Sequence, residues 1–267
     1  MKTTKRILLL LSVILLLVII INYPKLNIIS GYAAKNTSSS IFVANRTVAF
    51  TDATDNNFSP INLASTAVSL ENNFASASTL GLLTRKAVYR NGLGSVLITK
   101  GYDASKKELI PKRFIRNTSL AYPFGNKPQK DTLFNTINYE KLDSAVSSIF
   151  ENSYQTRAVL VLYKNQLIAE RYAKGFTKDS RTLGWSMTKS ILSTVFGIMQ
   201  YQGKLSVQDR APILEWENDD RKEITLHNLL QMNSGLAWDE NYDKISDVTK
   251  MLFLEDDMTK MQQKQQL

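Results

Sequence analysis

Near the start of the chain, Lys2, Lys5 and Arg6 stand directly before fifteen apolar or near-apolar residues, Ile7 to Ile21, and no other feature limits the fate of the chain so strongly. Such a segment directs export, with the basic flank kept in the cytoplasm and everything after it on the outer face. A spanning helix needs about 20 apolar residues, so the run is nearer the core of a signal peptide than a full span. The best small-x-small cleavage site, Gly31-Tyr32-Ala33, lies well past the run and behind Pro24 and Lys25. That placement favours an uncleaved signal anchor over residues 1–34, in the inner membrane and facing the periplasm or cell exterior. Cleavage would instead release the chain to the periplasm.

An exported chain often relies on disulfides, but this one has no cysteine. A lipid-attached N-terminal cysteine, disulfides and thiolate metal sites are therefore excluded, and stability must come from a packed core. With 43% hydrophobic and 21% charged residues, the composition fits a globular protein. The net charge of +9 invites a nucleic-acid reading until it is divided along the chain. Four basic residues and no acids precede residue 35, and the rest carries 29 basic against 24 acidic residues, or +5. That is a mildly basic solvated surface, and no nucleic-acid partner is expected.

Residues 36–80 are rich in Ser, Thr, Asn and Asp and predict loops with one strand at "SIFVANRTVAF". The stretch "RKAVYRNGLGSVLIT" predicts a hairpin turning at Asn91-Gly92. Composition then shifts from loop and strand to helix, placing a boundary near residue 130 between a β-rich extension, 35–130, and a second domain, 131–267. Leu142, Ala145, Val146, Ile149 and Phe150 fall on one face of "NYEKLDSAVSSIFEN", an amphipathic helix. A second hairpin follows in "RAVLVLYKNQLIAERYA", turning at Lys164-Asn165. Two further helices are expected, one headed by Ser186 and one capped by Thr225 that stops at Gly235. The Gln-rich end, "MTKMQQKQQL", offers no closing element.

Ser186 and Lys189 are the candidates for a nucleophile and its base. A serine in the first turn of a helix presents its oxygen to unpaired N–H groups and to the positive end of the dipole. A lysine three positions on lies over the same face and can reach that hydroxyl. An apolar shell of Trp185, Met187 and Ile191 would lower the amine's pKa, as a lysine base requires. Spacing alone leaves the alternative open, a capping serine beside a solvated lysine, since about one Ser-x-x-Lys is expected by chance in a chain this long.

The wider pattern is more specific. "GWSMTKSILSTVFGIMQYQGKLSVQDRAPILEW" is followed by "ITLHNLLQMNSGLAWDENY", giving in order Ser186 and Lys189, then Gly203, Leu205, Val207 and Asp209, then Ser234-Gly235-Leu236. From about residue 137 the chain resembles the serine β-lactamase and penicillin-binding-protein superfamily, especially the class C-like serine hydrolases that include the 6-aminohexanoate-dimer hydrolases. The resemblance implies an α+β fold, an antiparallel sheet flanked by helices. It also implies an acyl-forming nucleophile at Ser186, Lys189 as its proton acceptor, and the Ser186 N–H as half of an oxyanion hole. Tyr242, in "WDENYDK", would line the substrate cleft; an exposed loop tyrosine is the competing reading.

His227, the sole histidine, lies among Leu226, Leu229 and Leu230 and reads as an ordinary helix residue rather than a triad base. No cofactor and no metal site are expected. Asn36-Thr-Ser, Asn45-Arg-Thr and Asn117-Thr-Ser match a glycosylation pattern that an anchored bacterial-type protein need not use. The superfamily's second motif, a tyrosine completing the proton relay, and its third, Lys/His-x-Gly on a late strand, do not occur after Ser186. The expectation is therefore the front portion of a hydrolase, C-terminally truncated and weakly active or inactive, taking a small-molecule or peptide-like amide or ester substrate. The rival expectation is a non-catalytic, membrane-anchored protein that binds peptidoglycan or a peptide.

Overall fold

The computed structural model describes residues 2–105, 110, 112, 119–130, 132–151 and 154–267. They fall into two compact units, one formed by residues 1–109 with 183–267 and the other by residues 110–182.

The first unit begins with one long helix, α1 (Lys2–Phe42), which keeps Pro24 within it. The apolar part of α1 is exposed, and the helix is long and apolar enough to cross a membrane by length and composition. From Ile28 onward the same helix becomes core. It lies along a four-stranded antiparallel meander, β1 (Ala64–Ser69), β2 (Phe74–Thr79), β3 (Leu83–Arg90) and β4 (Gly94–Leu97), in that spatial order. Ile29, Ala33 and Ala34 pack with Ile61, Ala77, Ala87, Leu97 and Phe253. Small residues on both surfaces bring helix and sheet close: a methyl group on Gly31 would lie 3.1 Å from Leu97 Cδ2.

Helix, not loop and strand, occupies the stretch from Asn36 to Phe42, followed by a short helix, α2 (Val48–Ala53), with Thr47 as its N-cap. Ser and Thr are weak helix formers because their side chains compete for backbone groups. Here three of those hydroxyls find partners far along the chain, Ser30 and Ser38 on the sheet and Thr37 on Asn56, just past α2. Ser30 Oγ donates to Leu83 O at 2.8 Å and accepts from Thr79 N–H at 3.1 Å. Ser38 Oγ donates to Ser95 Oγ at 2.7 Å, and Asn56 Nδ2 to Thr37 Oγ1 at 3.0 Å. Asn36 is buried and donates to Asn56 Oδ1 at 2.8 Å, so it cannot carry a glycan in this fold. Asn117 lies outside the described residues, and Asn45 is exposed. The hairpin at Asn91-Gly92 forms as the sequence predicts, with Gly92 at φ +80°.

The second unit contains α3 (Tyr139–Phe150) and a hairpin of β5 (Ala158–Tyr163) and β6 (Gln166–Tyr172). Asn138 caps α3 through Lys141 N–H, and Val146 is its buried residue. Arg171 on β6 holds Asp143 and Ser147 of α3. Lys164 and Asn165 both take positive φ, the conformation a two-residue hairpin loop requires.

The rest of the first unit comprises α4 (Met187–Tyr201), α5 (Leu226–Leu230), α6 (Asp247–Phe253) and α7 (Met258–Gln263). Thr225 caps α5 in a reciprocal capping box with Asn228. The Gln-rich end has a structural role that the sequence conceals. It forms α7 and is then tied to the body, where Trp216 Nε1–H donates to Gln263 O and Arg221 to Gln263 O and Gln265 O. The Arg221 guanidinium and backbone N–H also hold the Asp219 carboxyl down, from its ordinary 3.8 to about 2. A depressed carboxyl stabilises the folded form above its unfolded pKa and loses that contribution as pH falls through the folded value. Acid titration should therefore loosen the tail between pH 3.8 and about 2, read as increased pepsin cleavage within residues 258–267, and Asp219→Asn should already show the looser tail at pH 5.

Candidate active site

The turn Gly184-Trp185-Ser186 leads into α4, and Trp185 takes φ +40°, a conformation that costs a bulky residue energy. Ser186 is the N-cap but makes no side-chain cap hydrogen bond. Instead its Oγ accepts from Lys189 Nζ at 3.0 Å. The N–H groups of Met187, Thr188 and Lys189 bond back to Gly184, Trp185 and Ser186 carbonyls, while the Ser186 N–H has no acceptor among the described residues. A donor and a hydroxyl oxygen are thus left together at the head of the helix, where the dipole favours negative charge.

Ser186 and Lys189 line a cleft of about 480 Å³ whose walls include Trp185, Leu236, Trp238, Glu240 and Tyr242, and the tail residues Gln262 and Gln265. Tyr242 therefore shares the cleft with both, although more than half of its surface is exposed. Its hydroxyl donates to Glu240 Oε1 at 3.0 Å. Burial, and then that hydrogen bond, raise the phenol's pKa, so Tyr242 holds its proton at neutral pH and acts as a donor.

The motif residues around the pair are structural supports. Gly203 ends α4 at φ +67°, and Asp209 Oδ2 accepts from Ser206 N–H at 2.8 Å, closing the following turn. Leu226 and His227 then donate to Asp209 O and Val207 O, docking α5 beside that turn. Gly235, at φ +82° and with Leu267 Cδ2 3.2 Å from where a Cβ would sit, carries the chain into the cleft wall. His227 is not among the residues lining the cleft.

One expectation fails. Trp185, Met187 and Ile191 do not enclose Lys189: each is more than half exposed, and α4 buries no residue. Periodicity marks an apolar face but does not say what covers it.

Sequence reasoning also missed Tyr32. Its ring stacks on that of Trp185, with centroids 6.1 Å apart and planes 12° from parallel, and meets Phe58 and Phe253 at 5.4 and 5.8 Å. A residue of the N-terminal helix thereby braces the strained residue before Ser186. Aromatic pairs of this kind contribute about 0.5–1.5 kcal/mol, so Tyr32→Leu should slow covalent labelling of Ser186 about tenfold, and Tyr32→Phe should leave it unchanged. Equal labelling rates in both variants would remove this role.

Residues 143–267 match the family model described as Beta-lactamase. No curated protein and no solved structure matches the chain. The match supports a likeness of this segment to the serine β-lactamase and penicillin-binding-protein superfamily, and with it a serine hydrolase-like function in general terms.

Proposed function

We propose that the cleft is a serine hydrolase site cleaving amide or ester bonds through an acyl-enzyme on Ser186. The observation that carries this reading is the 3.0 Å contact between Ser186 Oγ and Lys189 Nζ, made by a helix-cap serine that does not cap. In the forward step Oγ attacks the carbonyl carbon and its proton passes to Lys189 Nζ. The Ser186 N–H donates to the developing oxyanion. Collapse breaks the bond to the amine or alcohol, which leaves with a proton from Lys189, and water then hydrolyses the acyl ester. Tyr242, protonated and lining the same cleft, orients the substrate. Within the superfamily, the ordered motifs around Ser186 favour the class C-like, oligoamide-cleaving type. The N-terminal helix serves as the anchor that places this site outside the cytoplasmic membrane.

The experiment is covalent capture. Full-length protein treated with a fluorophosphonate or penicillin probe should gain one adduct, mapped to Ser186 by peptide mass. His227→Ala should capture the probe at the parent rate; a loss of more than tenfold would point to a histidine base instead.

The exposure of Lys189 and its neighbours favours a second reading, a non-catalytic cleft that holds a peptidoglycan or peptide fragment. It predicts no adduct under any condition, and fragment binding that survives Ser186→Ala.

A further inference from the structure

We infer that the β2–β3 turn, Leu80-Gly81-Leu82, is a second membrane contact that seats the first unit on the bilayer surface; the inference rests on the anchor reading of α1.

The sheet fixes where this turn lies along the helix. Ser30 on α1 meets Thr79 and Leu83, the residues flanking the turn, whereas Ser38 meets Ser95 and Phe42 stacks on Tyr89. Strand β3 therefore runs alongside α1 in the same direction, and the turn joining β2 to β3 projects toward the N-terminal, apolar end of the helix.

The bilayer boundary on α1 is marked by chemistry. The apolar run ends at Ile21, and exposed Tyr23 and Lys25 follow, an aromatic ring and a long cation of the kind that sit at headgroup level. Lys25 to Ser30 is only about 7 Å along the axis at the helical rise, and the turn extends back from Ser30 by roughly one strand residue, about 3 Å. That brings Leu80 and Leu82, 64% and 71% exposed, within about 5 Å of the Lys25 level, inside a headgroup layer that is itself about 5–7 Å thick. Leu63 is also exposed at this end, next to Ala64, which pairs with Thr79.

Exposure alone does not single out this turn. Leu70, in the β1–β2 turn at the opposite end of the sheet, is 70% exposed. What distinguishes Leu80 and Leu82 is their level along the helix that enters the membrane. Two contacts, helix and turn, would stop the unit from pivoting about α1.

The absence of cysteine allows a direct test. Single variants Leu82→Cys, Leu80→Cys, Leu70→Cys and Ile14→Cys of the full chain are labelled with an environment-sensitive fluorophore and reconstituted into phosphatidylethanolamine/phosphatidylglycerol vesicles. The expected result is a blue-shifted probe, quenched by spin-labelled lipid, at Ile14 and at both turn positions, with an aqueous spectrum at Leu70. Probes at Leu80 and Leu82 that match Leu70 while Ile14 is buried in lipid would overturn the turn contact and leave the anchor standing. An aqueous probe at Ile14 would overturn the anchor itself, and the proposal with it.

Discussion

Replacing Ser186 by alanine should abolish covalent capture of a fluorophosphonate by the full-length chain while leaving its melting temperature unchanged. The second half of that expectation carries as much weight as the first. An N-cap serine that caps stabilises a helix by roughly 0.5–2 kcal/mol, and alanine forfeits that amount. Ser186 makes no cap hydrogen bond, so its removal should cost the fold almost nothing. A nucleophile, by contrast, is needed for every turnover, and its loss typically lowers the rate on the order of 10⁶-fold. Lys189→Met should lose capture almost as completely, and the double variant should lose no more than either single change, because the two act as one unit. Melting lowered by a cap's worth of stability, with capture intact, would establish the capping alternative and end the catalytic reading.

How much of this was legible in the sequence depends on where the information resides. Hairpins with their own turn chemistry, at Asn91-Gly92 and Lys164-Asn165, could be placed because the turn residues dictate the backbone locally. The start of the helix capped by Thr225 was legible for the same reason, although that helix ends at Leu230 and not at Gly235, and helix geometry alone brings Lys189 within reach of Ser186. The segment from Asn36 to Phe42 was not, because the partners of its buried polar residues lie far along the chain, Ser95 on β4 for Ser38 and Asn56 for Thr37. Trp185 at positive φ carries no sequence mark at all, since tryptophan has no preference for that region. Its brace, Tyr32, lies more than 150 residues away and inside a segment that reads as a targeting signal. Gln262 and Gln265, which wall the cleft, belong to a Gln-rich run whose composition suggested no packed element.

That last point makes Trp216 the position where the largest structural loss is expected. Its side chain is 2% exposed and packs with Ala211 and Ile224. Its indole N–H ties Gln263, and Arg221, whose guanidinium lies 5.9 Å from the Trp216 ring, ties Gln263 and Gln265. Trp216→Ala removes the packing and the tether together. Truncating a buried aromatic typically costs about 3–5 kcal/mol, which for a chain of this size lowers melting by roughly 10 °C. Trp216→Phe keeps most of the apolar contact but leaves a carbonyl short of a donor, so its cost should be about 1–3 kcal/mol. The graded pair separates packing from tethering. Because the tethered tail supplies Gln262 and Gln265 to the cleft, the alanine variant should also expose residues 258–267 to protease and weaken probe capture at temperatures below its melt. Trp216→Ala melting within a degree of the parent, with the tail still protected, would mean that the cleft wall is held by something other than this core, and the geometry argued for the Ser186 site would lose its support.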